Sequence, residues 1–255
     1  MYPAFKDKIL HPHWLRWLAR RVFATGDTVR RAVQKPIVDT FISASGDRVV
    51  DIGAGRGMYT LETLVKRFNQ VTAIDVSPDH LVYLADRKRR DGLTNLWLVR
   101  ASADHLPFKN NAFDAALCTE VIEHLEDDRA GVAEIARVVT QEGRIVLSVP
   151  VPPAPRYDGA HVHEGYTYEQ LHAMLKAAHL SIVNKDYCLL LITRGVLHVI
   201  AFFEGRLKIP PPIVILCYLE RWFLRYSKEK LKPYDIVVHV KKEEHQHAEH
   251  AVSHG

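Results

Sequence analysis

Three observations predict an α/β fold with a doubly wound, mostly parallel sheet. From Asp47 onward, apolar strand segments alternate with helical patterns. A glycine-rich turn, Asp51-Ile52-Gly53-Ala54-Gly55-Arg56-Gly57, joins the first strand of that series to its first helix. A second carboxylate, Asp75, closes the next strand 24 residues after Asp51. Such alternation places helices on both faces of a parallel sheet and brings both carboxylates to one edge of it, a Rossmann-like arrangement.

The elements follow in order: a strand over Asp47 to Ile52, a helix over Met58 to Phe68, a strand over Val71 to Asp75 and a helix over Pro78 to Arg90. Strands at Leu96 to Arg100 and Phe113 to Cys118 come next, then a helix at Asp127 to Val139 and a strand at Arg144 to Val149. A helix at Tyr168 to Ala178, a strand at Leu180 to Asp186 and a last strand at Tyr234 to Val240 complete a seven-stranded sheet. The core thus occupies residues 46–187, with its last strand at 233–241.

Residues 1–45 form an amino-terminal helical flank. Within it, His13 to Phe23 spaces Trp14, Trp17, Leu18 and Val22 at helical intervals, with Arg16, Arg20 and Arg21 elsewhere around the turn. This is a basic amphipathic helix, which packs on the core as a lid or adsorbs to an anionic surface; the tryptophans favour a membrane over nucleic acid. The first forty residues carry a net +5, slightly more than the +4 of the whole chain.

Residues 188–232 break the rhythm. Leu189 to Phe203 and Ile213 to Leu219 are apolar-rich helical stretches joined at Pro210-Pro211-Pro212, a helical insertion before the last strand. So much apolar surface suits a cap over a greasy pocket, a membrane contact or a dimer interface, and these alternatives stay open here, as does oligomeric state. The histidine-rich tail, 242–255, is expected to be disordered.

Hydrophobic content of 47% and charged content of 25% are those of an ordinary globular chain. Cys118, Cys188 and Cys217 lack metal spacing and read as buried thiols in a reducing compartment. No signal arrangement or spanning stretch is evident. A cytoplasmic protein, peripheral at the inner membrane face, is the expectation.

The glycine turn excludes side chains from a ligand and offers it the amide groups of the following helix. A dinucleotide fingerprint would need glycines where Gly53, Gly55 and Met58 stand, so an NAD-dependent oxidoreductase is disfavoured. The set Asp51, Gly53, Gly55, Gly57 and Asp75, with Ala101-Ser102-Ala103-Asp104-His105-Leu106-Pro107-Phe108 downstream, resembles the class I S-adenosylmethionine-dependent methyltransferases of the quinone-biosynthesis-like (type 11) branch. The resemblance runs from Asp47 to Leu180 and implies S-adenosylmethionine as cofactor.

By that resemblance Asp75 would bind both ribose hydroxyls, Val76 would lie against the adenine, and Ser102 and Ala103 would edge it. Ser102 stands where the branch usually carries Asp or Glu, so Asp104 is an alternative acceptor for the adenine amino group. Asp51 would orient the cofactor's ammonium group, and Gly53, Ala54, Gly55 and Gly57 would admit its methionine portion. Glu120 would contact cofactor or acceptor.

Two segments at the sheet's carboxyl edge supply acceptor-side candidates: Glu120-Val121-Ile122-Glu123-His124 and His161-Val162-His163-Glu164-Gly165-Tyr166. His124, His161 or His163 would serve an oxygen acceptor as general base, with Tyr166 shaping the pocket. Related quinone-pathway and small-RNA enzymes have a similar arrangement that holds a divalent cation such as Mg²⁺, so an alternative set is Glu120, Glu123, His124 and His163, with His161 in place of His163 as its variant. Otherwise no metal is expected.

After the fourth strand, Cys118-Thr119-Glu120-Val121 lacks the Asn/Asp-Pro-Pro-aromatic set that holds an exocyclic base nitrogen, and Ser148-Val149-Pro150-Val151 lacks a Pro-Cys pair. Nucleobase methylation at an exocyclic nitrogen or at cytosine C5 is therefore not expected. The chain reads as a methyltransferase for a small-molecule or lipid-linked acceptor, by O-methylation. An RNA-modifying enzyme and a non-catalytic cofactor-binding subunit are the rivals.

Overall fold

A computed structural model describes residues 26–42, 46–153, 161–190 and 233–243, with 193, 195, 196, 199, 202 and 217. Seven strands form one sheet: β1 (Gly46–Ile52), β2 (Phe68–Asp75), β3 (Leu96–Arg100), β4 (Phe113–Thr119), β5 (Val139–Pro150), β6 (Leu180–Cys188) and β7 (Asp235–Lys242). Their order is β3-β2-β1-β4-β5-β7-β6. The first five run parallel, and β7 runs antiparallel between β5 and β6. Chain order reverses between β1 and β4, and at such a switch point the strand ends splay to leave a ligand crevice.

Alternation along the strands splits the core into two apolar layers. Val49, Val71, Ala73, Ala115 and Leu117 face one side with Leu64 and Leu84. Val50, Ile52, Ile74, Ala116, Cys118 and Leu147 face the other with Ile135 and Leu171. The sheet's connections and flank include the helices α1 (Gly26–Val33), α2 (Lys35–Phe41), α3 (Met58–Glu62), α4 (Pro78–Asp91), α5 (Asp128–Val138) and α6 (Tyr168–Ala177). Ser77, Asp127 and Thr167 cap α4, α5 and α6 with side-chain oxygens, satisfying amides that the helix itself leaves unpaired.

The helix expected over Met58 to Phe68 is cut short. It ends at Glu62, a single 3₁₀ turn spans Leu64–Lys66, and β2 already begins at Phe68. Thr63 is the reason: its hydroxyl donates to Asp39 Oδ1 at 2.7 Å and accepts from Lys35 Nζ at 2.8 Å, tying it to α2 at a non-helical φ of −123°. The helix expected at Asp127 to Val139 ends at Val138, and β5 starts at Val139, five residues before expectation. Val139 pairs with Phe113 ahead of an irregularity in the ladder, so Thr140 to Gly143 lie within a bulged strand. β6 and β7 reach Cys188 and Lys242, slightly past the expected Asp186 and Val240.

Of the flank, α1 and α2 bury Val29, Ala32, Val38 and Ile42 completely. Ion pairs from Arg31 to Glu62 at 2.6 Å and Lys35 to Asp39 at 2.7 Å flank this seam. His13 to Phe23 and the tail beyond Glu243 lie outside the described residues. So does most of 189–232, of which Leu189, Leu190, Val196 and Cys217 are buried while Phe202 is 58% exposed. Among the described residues no helix is long and apolar enough to cross a membrane.

Candidate cofactor and acceptor site

The glycine turn lies where β1 leaves the sheet, with Gly53, Gly55 and Gly57 at φ of 69°, 54° and 77°. A Cβ on Gly53 would stand 2.3 Å from Val121 Cγ2, so the residue after Glu120 fills the place of a side chain. A Cβ on Gly55 would meet nothing within 4 Å, because the loop opens there onto empty space. Ala54 N–H donates to Ile74 O at 2.8 Å, which moors the loop to β2.

Two carboxylates flank that opening. Asp51 is buried at the end of β1, where the hydroxyl of Thr60 donates to it. Burial, and secondarily the charge of Asp75, push the Asp51 carboxyl up to about 7. Asp75 accepts from Gly55 N–H at 2.7 Å through Oδ2 and from Ser77 N–H at 2.8 Å through Oδ1. His80 Nδ1 also lies 3.2 Å from Oδ1, so Oδ2 is the oxygen that keeps a lone pair for a further donor. Val76 beside it is 59% exposed.

On the far side of β3, Ser102 is half-buried in a tight turn closed by His105 N–H to Ser102 O at 3.2 Å, and Ala103 is buried. Arg137 of α5 braces this loop by donating to Leu106 O at 3.1 Å and Phe108 O at 2.7 Å. Nothing in the local sequence marks Arg137 for that task, since it lies some thirty residues downstream on another element.

Glu120 follows β4 with a left-handed φ of 56°. Its carboxylate accepts from Arg30 Nη2 at 3.1 Å, Gln34 Nε2 at 3.3 Å and Ser148 Oγ at 2.8 Å. Asp235, fully buried at the start of β7, accepts from the same Gln34 amide at 2.5 Å and from the Cys188 thiol at 3.2 Å. Burial first, then the charge of Glu120, hold the Asp235 carboxyl well above the usual range.

The two histidine segments lie against each other. Val162 and His163 N–H both donate to Glu123 O, at 3.0 and 2.9 Å, which lays 161–166 along the turn at Ile122–His124. The rings of His124 and His161 stand edge to face at 4.5 Å. Tyr166 donates its hydroxyl to Asp128 Oδ2 at 2.8 Å, and His163 Nε2 lies 3.7 Å from the same oxygen. Burial, then the bond to Asp128, push the Tyr166 phenol well up, so it stays protonated at physiological pH.

Of the alternative metal set, Glu120 is held by Arg30, Gln34 and Ser148, and His163 Nε2 lies toward Asp128, whereas the variant with His161 keeps three of its members together. The donors that converge are Glu123, His124 and His161, one atom of each lying within 4.8 Å of the others.

Residues 50–147 match the family model described as a methyltransferase domain, Methyltransf_11. An uncharacterized methyltransferase, YcgJ, of Bacillus subtilis is 28% identical over 127 residues, covering 50% of this chain and 48% of that protein. A ubiquinone biosynthesis O-methyltransferase of Methylococcus capsulatus is 30% identical over 161 residues, 62% of this chain and 57% of that protein. The chain thus spans about half the length of the curated relatives it matches. A crystal structure of the cyclase SpnF superposes with a TM-score of 0.60 at 20% identity, covering 85% of this chain and 81% of that one, a likeness of fold alone.

Residues 50–147 form a class I S-adenosylmethionine-dependent methyltransferase domain. Its glycine turn, Asp51 and Asp75 sit together at the switch point, as their positions in the sequence predict. What sequence reasoning missed in the methyltransferase site is the set of partners held by distant elements: Arg30, Gln34, Thr60, Asp128, Arg137, Ser148 and Asp235. Thr60 alone had a local signal, a hydroxyl one helical turn past the glycines.

Proposed function

We propose that the domain transfers a methyl group from S-adenosylmethionine to an oxygen of a small-molecule or lipid-linked acceptor. The observation that carries this reading is the open space at Gly55 in a glycine turn that one buried carboxylate, Asp51, precedes and another, Asp75, bonds. The cofactor supplies a sulfonium methyl, whose positive charge is lost in an in-line displacement, so positioning and exclusion of water do most of the work. Asp75 binds the ribose hydroxyls, Val76 lies on the adenine, and Ser102 and Ala103 edge it. Asp51 balances the ammonium group, while Gly53 to Gly57 admit the methionine portion beside Glu120.

On the acceptor side, His124, His161 and His163 line the carboxyl edge with Tyr166. The ring that reaches the acceptor hydroxyl takes its proton. His163 has a neighbouring carboxylate, Asp128, to stabilise the charge it would acquire. The ubiquinone relatives support an oxygen acceptor, and the exposed Phe202 in the apolar insertion supports a greasy one that is met at a membrane surface.

A second element of this reading is a divalent cation on Glu123, His124 and His161. Glu123 is fully buried, and neither carboxylate oxygen has a hydrogen-bond partner among the described residues, which fits a site that expects a cation. A cation there would ease ionisation of an acceptor hydroxyl.

The test is calorimetric titration with S-adenosylhomocysteine, with NADH as control, followed by labelled-methyl transfer to catechol, quinone-lipid and RNA acceptors with and without chelator. Micromolar binding of the first ligand alone and label in the oxygen acceptors are expected. Binding of NADH, or label in RNA only, would overturn the reading.

A further inference from the structure

Gln34 sits at the junction of α1 and α2 and is completely buried, yet its surroundings are polar. Its amide nitrogen reaches Glu120, Ser148 and Asp235 at 3.3, 3.2 and 2.5 Å, and its carbonyl accepts from the Tyr59 hydroxyl at 2.7 Å. One side chain from the flank thereby joins β4, β5, β7 and the helix that follows the glycine turn. An apolar residue would fill the space without the cost of burying an amide, so the polar choice is expensive unless it fixes something.

What it fixes is Glu120. That residue holds a left-handed conformation disfavoured for anything but glycine, and such strain persists only where the surroundings over-determine it. Here they do: Ser148 O accepts from Glu120 N–H at 3.0 Å, Ser148 Oγ bonds the carboxylate, and Arg30 and Gln34 take up what remains. Glu120 lies two residues past the last β1–β4 pair, Ile52 with Cys118, and so stands level with Ala54 of the glycine turn. The next side chain, Val121, already packs on Gly53. Glu120 therefore stands beside the glycine turn, with its carboxylate held on the flank side by Arg30, Gln34 and Ser148.

We propose that Arg30 and Gln34 are positioning residues that act through Glu120, making the amino-terminal helix pair one wall of the cofactor site. This rests on the methyl-transfer reading and extends it to a part of the chain that the matched domain, residues 50–147, does not include. The arrangement makes cofactor affinity depend on whether α1 is docked.

Calorimetric titration with S-adenosylhomocysteine tests this without knowledge of the acceptor. Arg30→Met, Gln34→Met and Glu120→Gln should each weaken binding roughly tenfold, the scale of one bond to a charged group. The double variants Arg30→Met/Glu120→Gln and Gln34→Met/Glu120→Gln should bind no worse than Glu120→Gln alone, since residues acting through one partner are not additive. Arg30→Lys, which keeps a cation for the single Nη2 contact, should restore affinity to within about threefold of wild type. Multiplying losses in the doubles, or an unchanged affinity in Arg30→Met or Glu120→Gln, would overturn the proposal while leaving the cofactor assignment intact. Wild-type protein that binds no S-adenosylhomocysteine would remove both. Arg30 has a half-exposed side chain, 41% accessible, so its variants decide the matter even if Gln34→Met does not fold.

Discussion

The Thr60 hydroxyl donates to the buried carboxylate of Asp51 across a single turn of chain, and among the described residues no cationic side chain pairs with that carboxylate. Burial with so little compensation is why the carboxyl is pushed up to about 7 from an ordinary 3.8. The fold therefore favours the protonated acid, a preference fully expressed below the unfolded value and lost as pH rises through about 7. Ligand-free protein should lose on the order of 4 kcal/mol of stability over that window. Thermal melts across the pH range should show the slope in wild type and a shallower one in Asp51→Asn, the remainder coming from Asp235 and Glu123, whose carboxyls burial also raises. The same group should make S-adenosylhomocysteine bind more tightly as pH rises toward 8, because the cofactor's ammonium favours the carboxylate.

Asp75 bridges Gly55 and Ser77, with His80 against its Oδ1 and a lone pair of Oδ2 left for a ribose. Asp75→Ala should weaken S-adenosylhomocysteine binding by about a hundredfold or more, since it removes two charge-assisted bonds and unties the loop. Calorimetry reads the loss directly. An affinity within threefold of wild type would remove Asp75 from the cofactor site.

Gly53 and Gly55 should separate folding from binding. Both have positive φ, so alanine costs roughly 1–2 kcal/mol of backbone strain at either. Gly53→Ala also drives its methyl against Val121 and should melt well below Gly55→Ala, which has open space around it. Gly55→Ala should fold and still bind poorly, because its methyl enters the ligand's volume. Paired melting and titration experiments check the split.

His161→Ala and His163→Ala should leave S-adenosylhomocysteine affinity unchanged and lower methyl transfer by about a hundredfold for whichever ring takes the proton. Full turnover in either variant on the true acceptor ends that histidine's catalytic role.

If the Glu123, His124 and His161 set holds a divalent cation, Mn²⁺ binding followed by paramagnetic resonance should vanish in Glu123→Gln and His161→Ala. It should survive in His163→Ala and Glu120→Gln, whose side chains point elsewhere.

The cofactor half of the site was legible because its requirements are local. Glycines at positive φ and carboxylates at strand ends are marked by residue type within one strand-turn-helix unit. The acceptor half was legible only as two segments. Which histidine meets which carboxylate depends on how 161–166 folds back on the 122–124 turn, a pairing carried by backbone amides and invisible to pattern. The contacts of Arg30 and Gln34 with Glu120 bridge 90 and 86 residues, beyond any periodicity. The overlong helix after Gly57 had a similar cause: Leu61, Leu64, Val65 and Phe68 continue a helical stripe, but the side chain of Thr63 is claimed by α2.

Cys188 and Asp235 face each other in the β6–β7 ladder, and everything between them, residues 189–234, departs from and rejoins the sheet at one rung. The excursion is a loop on a closed hairpin, so its length is nearly free: doubling it would cost well under 1 kcal/mol in closure entropy. Both of its anchors border the Gln34 network rather than the glycine turn. That one stretch of chain can therefore be lengthened or exchanged while the register of every strand and the geometry of the glycine turn stay as they are.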